Sequence, residues 1–252
     1  MSDPHVDALY YFVKHFDTVD YAGAEALEYE TPGFTVRIAE GRADVAMTSH
    51  HATADRARKE VEPLLRALEL TTALEFGPGQ FEFVYDTAKI VDRASTPETF
   101  GVVATSSFAI EIADAHIRRS KYPDPPPPSI AVDEVVAQMF ECFRQYRASR
   151  RRLPDAANFC LTALEKSGGG RSGAATRFAV AKTVLNKAGQ LADEKGGNEA
   201  RKAKGAGAEF TAAERQWLEE AMKRLILRAA EIAGNPSASL PQITMADLPP
   251  LP

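Results

Sequence analysis

A run of prolines near the middle of the chain constrains its fold more than any other feature. Residues 122–129 have the sequence YPDPPPPS. Each proline fixes φ and removes a backbone donor, so the run favours extended polyproline II and a stiff connector. Apolar residues before the run recur with a period near two, whereas almost every later segment has a helical period. The sequence therefore predicts a domain boundary near residue 125.

The predicted fold class is α+β: a mostly antiparallel sheet with one or two helices, followed by an all-α helical bundle. We expect an acidic α+β domain over residues 1–122, a Pro-rich connector over 123–130 and a basic helical domain over 131–235. Residues 236–252 are rich in proline and leucine, and we expect a tail without regular structure there. The chain has no apolar run of the roughly 18 residues that a membrane span needs. Its start lacks a leader pattern, so we expect a cytoplasmic protein without a membrane partner.

The first hundred residues predict a helix and then strands. A first helix is predicted over residues 5–16 from the helical spacing of four apolar residues: Val6, Leu9, Tyr10 and Val13. Alternating segments at 34–38 and 43–47 flank a Glu40-Gly41 turn. This pattern predicts a β-hairpin.

A second helix is expected to begin after Thr53, with Pro63 kinking it or opening its last turns. Alternation over 73–76 and 81–85, around a Gly-Pro-Gly turn, predicts a second hairpin. Two later segments also have strand character, 89–91 and 102–112. Together these segments predict a sheet of about five to seven strands.

The segment after the proline run predicts four or five helices. Asp133 is a suitable N-cap, and Pro154 suits the first turn of a helix that ends at the glycines 168–170. The last helix begins with a capping box at Thr211 and ends at Gly234. Its apolar residues alternate between spacings of four and three: Leu218, Met222, Leu225, Ala229 and Ile232. This stripe indicates a packing face or, as a second interpretation, the self-association helix of a homodimer.

One segment of the helical domain, residues 171–191, resembles a helix-turn-helix unit. In that motif a small residue on the first helix lets the second helix pack closely, and apolar residues precede and plug the turn. The residues at the buried offsets are Ala175, Phe178, Val180, Leu185 and Leu191. Three alanines depart from the motif: Ala179 at the favoured turn glycine, Ala181 at the cap and Ala188 at a larger aliphatic position.

The resemblance implies that the second helix of this segment contacts DNA. Its exposed side would carry Lys182, Thr183, Asn186 and Lys187. Lysine can bind phosphate or guanine, and asparagine can pair with adenine in the major groove. The alternative is a helical hairpin that is buried in the bundle.

The charge distribution favours nucleic acid. The whole chain has a net charge of −5, but residues 1–130 carry −9 and residues 131–252 carry +4. Residues 142–210 alone carry +8, as expected for a surface that contacts phosphates. The alternative is a solvated helical surface and a flexible loop. The predicted nucleic-acid contacts are Arg147, Arg150, Arg151, Arg152, Arg171, Arg177, Lys182, Thr183, Asn186 and Lys187.

Three functional hypotheses follow from the sequence. The leading one is a non-enzymatic, regulatory protein that binds nucleic acid, with DNA as the expected polymer. The second is a scaffold module in which residues 211–252 bind a protein partner. The third is a hydrolase or nuclease with a site containing His50, His51 and His116. No cofactor or metal is predicted, because Cys142 and Cys160 lie outside any zinc-like spacing.

Overall fold

The computed structural model describes residues 3–15, 19–77, 82–94, 117–195 and 208–251. The chain divides into two compact units, Met1–Pro126 and Pro127–Pro252. The predicted α+β class is confirmed, with the sheet in the first unit and most of the helices in the second. The strand expected at 102–112 and His116 lie outside the described residues.

The first unit contains a five-stranded antiparallel sheet and one long helix. The strands are β1 (Pro4–Lys14), β2 (Val19–Asp20), β3 (Leu27–Glu30), β4 (Phe34–Ala39), β5 (Arg42–Met47), β6 (Glu82–Asp92) and β7 (Ile117–Arg118). The sheet order is β3-β4-β5-β1-β6, and β2 pairs with β7 separately and in parallel. The helix α1 (Ala54–Phe76) packs against β1 and β6.

The hairpin of β4 and β5 is confirmed. Ile38 pairs with Ala43, and Phe34 pairs with Met47. Glu40 and Gly41 have φ values of 52° and 73°, and a type I′ turn requires positive φ at both central residues. The inward side chains of this hairpin and of β1 form a core with α1 that includes Leu9, Val36, Ile38, Val45, Val61 and Leu65.

The helix predicted over residues 5–16 is wrong, because this segment is strand β1. It lies inside the sheet and pairs with β5 on one side and β6 on the other. The register with β6 shifts between Val6 and Ala8, because β1 has one extra residue there. This bulge reverses the face of the sheet to which the later side chains of β1 point. Val6 and Leu9 are therefore both buried, and a bulged strand has imitated helical spacing.

The second predicted hairpin is also wrong. Residues 73–76 continue α1, which ends when the N–H of Gly77 donates to the carbonyl oxygen of Ala73 (3.0 Å). Ala73 and Leu74 are buried together with earlier residues of the helix. Pro63 lies inside α1 on its exposed side and does not end it. The partner of β6 is β1, so the tertiary fold overrides the local alternation.

The second unit contains five helices among its described residues. They are α2 (Glu134–Arg147), α3 (Leu153–Gly168), α4 (Arg171–Arg177), α5 (Lys182–Glu194) and α6 (Ala212–Gly234). Helix α3 packs against each of the other four. The apolar stripe of α6 is buried, and Trp217 beside it is fully buried. The stripe therefore serves as a packing face within the unit.

The predicted helix caps are confirmed where the sequence signals were strongest. The carboxylate of Asp133 accepts from the N–H of Val136 (2.8 Å). Thr211 and Glu214 form a reciprocal capping box. The N–H of Thr211 donates to Glu214 (3.0 Å) and holds the pKa of that carboxyl below its usual value. These bonds satisfy donors that a helix start leaves unpaired.

The C-terminal tail folds back on the helical unit. Ile243 forms an isolated parallel bridge with Val180, and a 3₁₀ turn spans Met245–Asp247, so the tail has more order than the sequence predicted. Ile243 and Leu248 are buried. None of the helices among the described residues combines the length and apolar character needed to cross a membrane.

Candidate nucleic-acid interface

Helices α4 and α5 and the four residues between them form the segment that resembles a helix-turn-helix unit. Phe178, Val180, Leu185 and Leu191 are at most 3% exposed, as the motif offsets predict. Ala179 has a φ of 46°, the left-handed conformation for which glycine is favoured. The chain thus makes the turn with alanine at the glycine position.

The start of α4 packs directly against the end of α3. A Cβ on Gly173 would lie 1.8 Å from the carbonyl oxygen of Gly168, so this contact requires glycine. Gly169, in the left-handed conformation, terminates α3. The small residue that faces the core is Ala174, which is 1% exposed. Ala175, the position predicted from the motif, is half-buried instead, because neighbouring positions on a helix differ in direction by about 100°.

Two distant segments hold the turn between α4 and α5. From α6, Nη1 of Arg228 donates to the carbonyl oxygens of Phe178 and Ala179, at 3.0 Å each. From the tail, the N–H of Ile243 donates to Ala179, and its carbonyl oxygen accepts from the N–H of Ala181, both at 2.8 Å. The left-handed alanine is therefore fixed by hydrogen bonds on both sides of it.

The outer side of α5 carries the predicted contact residues. Lys182, Thr183 and Asn186 are exposed and Lys187 is half-buried, whereas Val184, Leu185 and Ala188 are buried. Nζ of Lys182 donates to Oγ of Ser172 (3.0 Å). Nζ of Lys187 donates to the side-chain oxygen of Gln190 (3.4 Å). Both bonds lie on the surface, where water or a ligand can replace the acceptor.

Arg171 connects α4, α3 and α5. Its Nε donates to Glu165 at 2.6 Å, and Nη1 donates to Oδ1 of Asn186 at 3.4 Å. A Cβ on Gly189 would lie 3.1 Å from this guanidinium, so glycine leaves room for the arginine to lie across α5. Nη1 of Arg177 donates to the carbonyl oxygen of Ser167 (2.7 Å). Arg171 thus lies next to the exposed side of α5, whereas Arg177 is held against the end of α3.

Two of the four predicted arginines at the end of α2 and before α3 have partners away from α5. Arg147 pairs with Glu219 of α6 (3.5 Å). Arg151 donates to Sγ of Cys142 and lies 5.5 Å from the ring centre of Phe159. Arg150 and Arg152 are exposed. The described contacts bring Arg171, Lys182 and Asn186 together, whereas Arg147 and Arg151 are paired elsewhere, with Glu219 and Cys142.

Three of the histidines lie together in the first unit. The rings of His5 and His50 stack with centroids 5.3 Å apart. Nε2 of His51 lies 2.5 Å from Oε2 of Glu60. Among the described residues, no group of three or more histidine, cysteine or acidic side chains is arranged to hold a metal ion. His15 lies apart from these rings, at the other end of β1 and beside Tyr21.

The two cysteines have the properties of core residues. Cys142 and Cys160 are both free and buried. Burial raises the pKa of both thiols. A thiol that stays protonated is a poor nucleophile and a poor metal ligand. Neither cysteine therefore adds reactive chemistry to the helical unit.

Sequence reasoning missed Arg228 and Ile243 as determinants of this site. Arg228 is 7% exposed, and its position three residues after Leu225 and four before Ile232 places it on the apolar side of α6. A charged residue within the apolar stripe of a helix is the sequence signal that could have identified Arg228, because a buried cation needs specific partners. Ile243 carried no comparable signal within a tail rich in proline.

Comparison with family models, with curated proteins and with solved structures finds no match for this chain. Function is therefore inferred from the geometry of α4 and α5 and of the residues around them.

Proposed function

We propose that the helical unit binds nucleic acid, with DNA as the preferred polymer, through the exposed side of α5, and that the protein has a regulatory, non-enzymatic role. One observation carries the proposal. Lys182, Thr183 and Asn186 lie exposed on one side of α5 while its opposite side is buried. An α-helix anchored in this way can enter a major groove with only its polar side in contact.

The residue types on α5 suit a duplex. Lys182 and Lys187 supply cations for phosphate or for guanine, and Thr183 supplies a hydroxyl. The first turn of α5 contains no acidic residue, and the positive end of the helix dipole also attracts phosphate. Oδ1 of Asn186 accepts from Arg171. For the oxygen and the nitrogen of this side-chain amide to pair together with adenine, Arg171 must release Oδ1 and turn towards a phosphate.

The scaffold hypothesis has less structural support than DNA binding. Its docking peptide would be the tail, but Ile243 and Leu248 are buried against the tail's own unit. A partner would have to displace both apolar side chains, and also the two backbone hydrogen bonds of Ile243. We therefore retain DNA binding as the proposal.

Fluorescence anisotropy of a labelled mixed-sequence duplex, titrated with the full chain, tests the proposal. Contacts from Arg171, Arg177, Lys182 and Lys187 to four phosphates predict a slope of log Kobs against log salt of about −3.6. Lys182→Glu should weaken binding by at least tenfold, roughly 1.4 kcal/mol, because it reverses a charge at the contact. The matched control is Lys59→Glu, on an exposed position of α1 in the other unit, which should leave affinity within about twofold.

Two results would reject the proposal. One is the absence of binding at about 10 µM protein in about 50 mM salt, where even non-specific DNA binding is strong. The other is an equal loss of affinity in Lys59→Glu and Lys182→Glu, which would indicate general charge attraction and not contact through α5. Asn186→Ala distinguishes base contacts from phosphate contacts, since it should change sequence preference and leave the salt slope unchanged.

A further inference from the structure

Three side chains connect helices α3, α4 and α5. Nε of Arg171 donates to Oε1 of Glu165 at 2.6 Å, and its Nη1 donates to Oδ1 of Asn186 at 3.4 Å. The first bond joins opposite charges at short distance, whereas the second is long. Glu165 therefore holds the guanidinium, and Asn186 contacts a group whose position is already fixed.

Gly189 lets the guanidinium lie against α5. A Cβ at this position would be 3.1 Å from Nη2 and 3.2 Å from Nη1 of Arg171, so a larger residue would push the guanidinium away. Residues three apart on a helix lie on the same side, which makes Gly189 and Asn186 neighbours. The guanidinium is thus held by Glu165 and lies along α5, next to the Asn186 amide.

The charge of Arg171 decides how the Asn186 amide is oriented. A guanidinium has five N–H donors and no acceptor, so the amide oxygen faces it and Nδ2 points away. Asn186 is exposed. Its bond to Arg171 is the one hydrogen bond that this side chain makes within the described part of the chain. Asn186 therefore offers a ligand the N–H donors of Nδ2, while its oxygen is engaged.

One base edge in the major groove suits such a donor best. Guanine presents two acceptors, O6 and N7, and thymine presents one. Adenine pairs with asparagine through both the oxygen and the nitrogen of the amide, but the cation beside Oδ1 repels the N6 amino group. Cytosine presents only an amino group. An Asn186 held in this way should favour guanine over adenine and cytosine.

We propose that Arg171 positions Asn186 as a hydrogen-bond donor, so that α5 selects guanine at the base pair that Asn186 contacts. This inference rests on the proposed binding of DNA and adds a base preference to it. The side chain of Arg171 is 36% exposed, so its guanidinium can also contact a phosphate while Nη1 stays on Asn186. Arg171 is a positioning residue for the base contact, because it acts through Asn186.

Selection of duplexes by the full-length protein, from a library with a randomised centre, measures the base preference. The position that Asn186 contacts is the one at which Asn186→Ala loses the wild-type preference. Wild type should enrich guanine at this position. In anisotropy competition, replacing that G·C pair with A·T should weaken binding by about fivefold or more.

Arg171→Met separates positioning from charge. Methionine removes the guanidinium and releases Oδ1, so the preference at this position should change from guanine to adenine. Arg177→Met is the matched control on the same helix, because Arg177 donates to the carbonyl oxygen of Ser167 and not to Asn186. Both variants lose one cation and should lose affinity, but the control should keep the preference for guanine.

Asn186→Asp tests the direction of the hydrogen bond to the base. Aspartate keeps an acceptor for Arg171 but has no donor. The preference for guanine should therefore be lost, and cytosine should replace it, because its amino group can donate to a carboxylate. A preference for guanine in this variant would contradict donation from Nδ2.

A measurement on the free protein covers the case in which Arg171→Met binds DNA too weakly for selection. The NMR order parameter of the Asn186 Nδ2 group should fall in Arg171→Met, because the amide is no longer held, and should stay unchanged in Arg177→Met. Glu165→Gln weakens the hold on the guanidinium without removing it, so this variant should give an intermediate value.

The outcomes distinguish this inference from the function on which it rests. If wild type selects no duplex, both are rejected. If wild type binds DNA but no position depends on Asn186, or if Arg171→Met keeps the preference for guanine, the positioning role of Arg171 alone is overturned. An equal order parameter for Asn186 in wild type and in Arg171→Met also overturns that role.

Discussion

Arg228 on α6 donates a hydrogen bond from Nη1 to the carbonyl oxygen of Ala179 (3.0 Å), the residue whose φ of 46° makes the turn before α5. The same nitrogen donates to Phe178, and Nε pairs with Glu231 at 2.7 Å. A buried cation is tolerated when such partners surround it, and the carbonyl oxygens at the end of α4 gain a donor. The orientation of α5 therefore depends on a residue about fifty positions away in the chain.

Replacing Arg228 with methionine should lower the free energy of unfolding of the helical unit by about 2–4 kcal/mol. Methionine fills much of the volume, but two turn carbonyls lose their donor and Glu231 loses its cation. Urea unfolding followed by fluorescence measures this change directly. The protein has a single tryptophan, and Trp217 is buried on α6, so the signal reports on this unit.

Arg224→Met is the matched control on the same helix. Arg224 is exposed and pairs with Glu220 one turn away (3.0 Å). An exposed pair of this kind contributes at most about 0.5 kcal/mol. Equal destabilisation by the two variants would contradict a specific role for Arg228 in the turn.

Ala179→Gly should raise the stability of the helical unit by about 0.5 kcal/mol. The left-handed conformation costs alanine about 1–2 kcal/mol, and glycine avoids this cost at an entropic loss of about 0.5–1 kcal/mol. Ala175→Gly is the control, because Ala175 lies inside α4 in ordinary helical backbone. That change should destabilise by about 0.5–1 kcal/mol. Tryptophan fluorescence in urea distinguishes the two, and a loss of stability in both variants would indicate that the turn is not strained.

Ile243→Ala should destabilise the helical unit by about 2 kcal/mol, because Ile243 is 7% exposed and bridges to the buried Val180. Its clearest consequence is local. The N–H of Ala181, which donates to Ile243, should exchange with solvent at least tenfold faster as the tail opens more often. Met245→Ala, at a position that is 36% exposed, should change neither quantity appreciably; if it does, the tail as a whole has been loosened.

The helical unit could be predicted well from the sequence because its signals are local. Asp133, Pro154 and the Thr211 capping box each define a helix start through bonds within one turn. The buried positions of α5 also follow from helical periodicity. Such patterns need no knowledge of the rest of the fold.

The errors in the first unit arose where pairing between distant segments decides the structure. β1 was predicted as a helix because a bulge beside Asp7 places Val6 and Leu9 on the same side. Residues 73–76 alternate like a strand, yet they complete α1. Neither the bulge nor the choice of β1 as the partner of β6 is encoded by the spacing of neighbouring residues.

For the candidate site, the sequence located the surface but not its supports. Lys182, Thr183 and Asn186 were identified from the exposed side of a helix. Arg171 was expected to contact nucleic acid, but it also pairs with Glu165 and Asn186. Such a choice of partner depends on how α3, α4 and α5 pack, and charge counts along the chain cannot show it.

The stability of the first unit should fall as the pH falls from about 7 towards 5, because of His5. Burial, then the charge of Arg93 and the neighbouring His50, lower the pKa of His5 in the folded protein. In the unfolded chain a histidine takes up its proton near pH 6.5. Below that pH the unfolded state binds more protons, so protonation favours unfolding until the lower pKa of the folded state is reached.

His5→Phe keeps a ring next to His50 but cannot take up a proton, and it should make the pH dependence shallower. Val6→Ala, at a neighbouring residue that is fully buried, should lower stability equally at every pH. Urea unfolding followed through the NMR signals of the β1 amides measures both curves, and parallel curves for wild type and His5→Phe would show that His5 does not cause the loss.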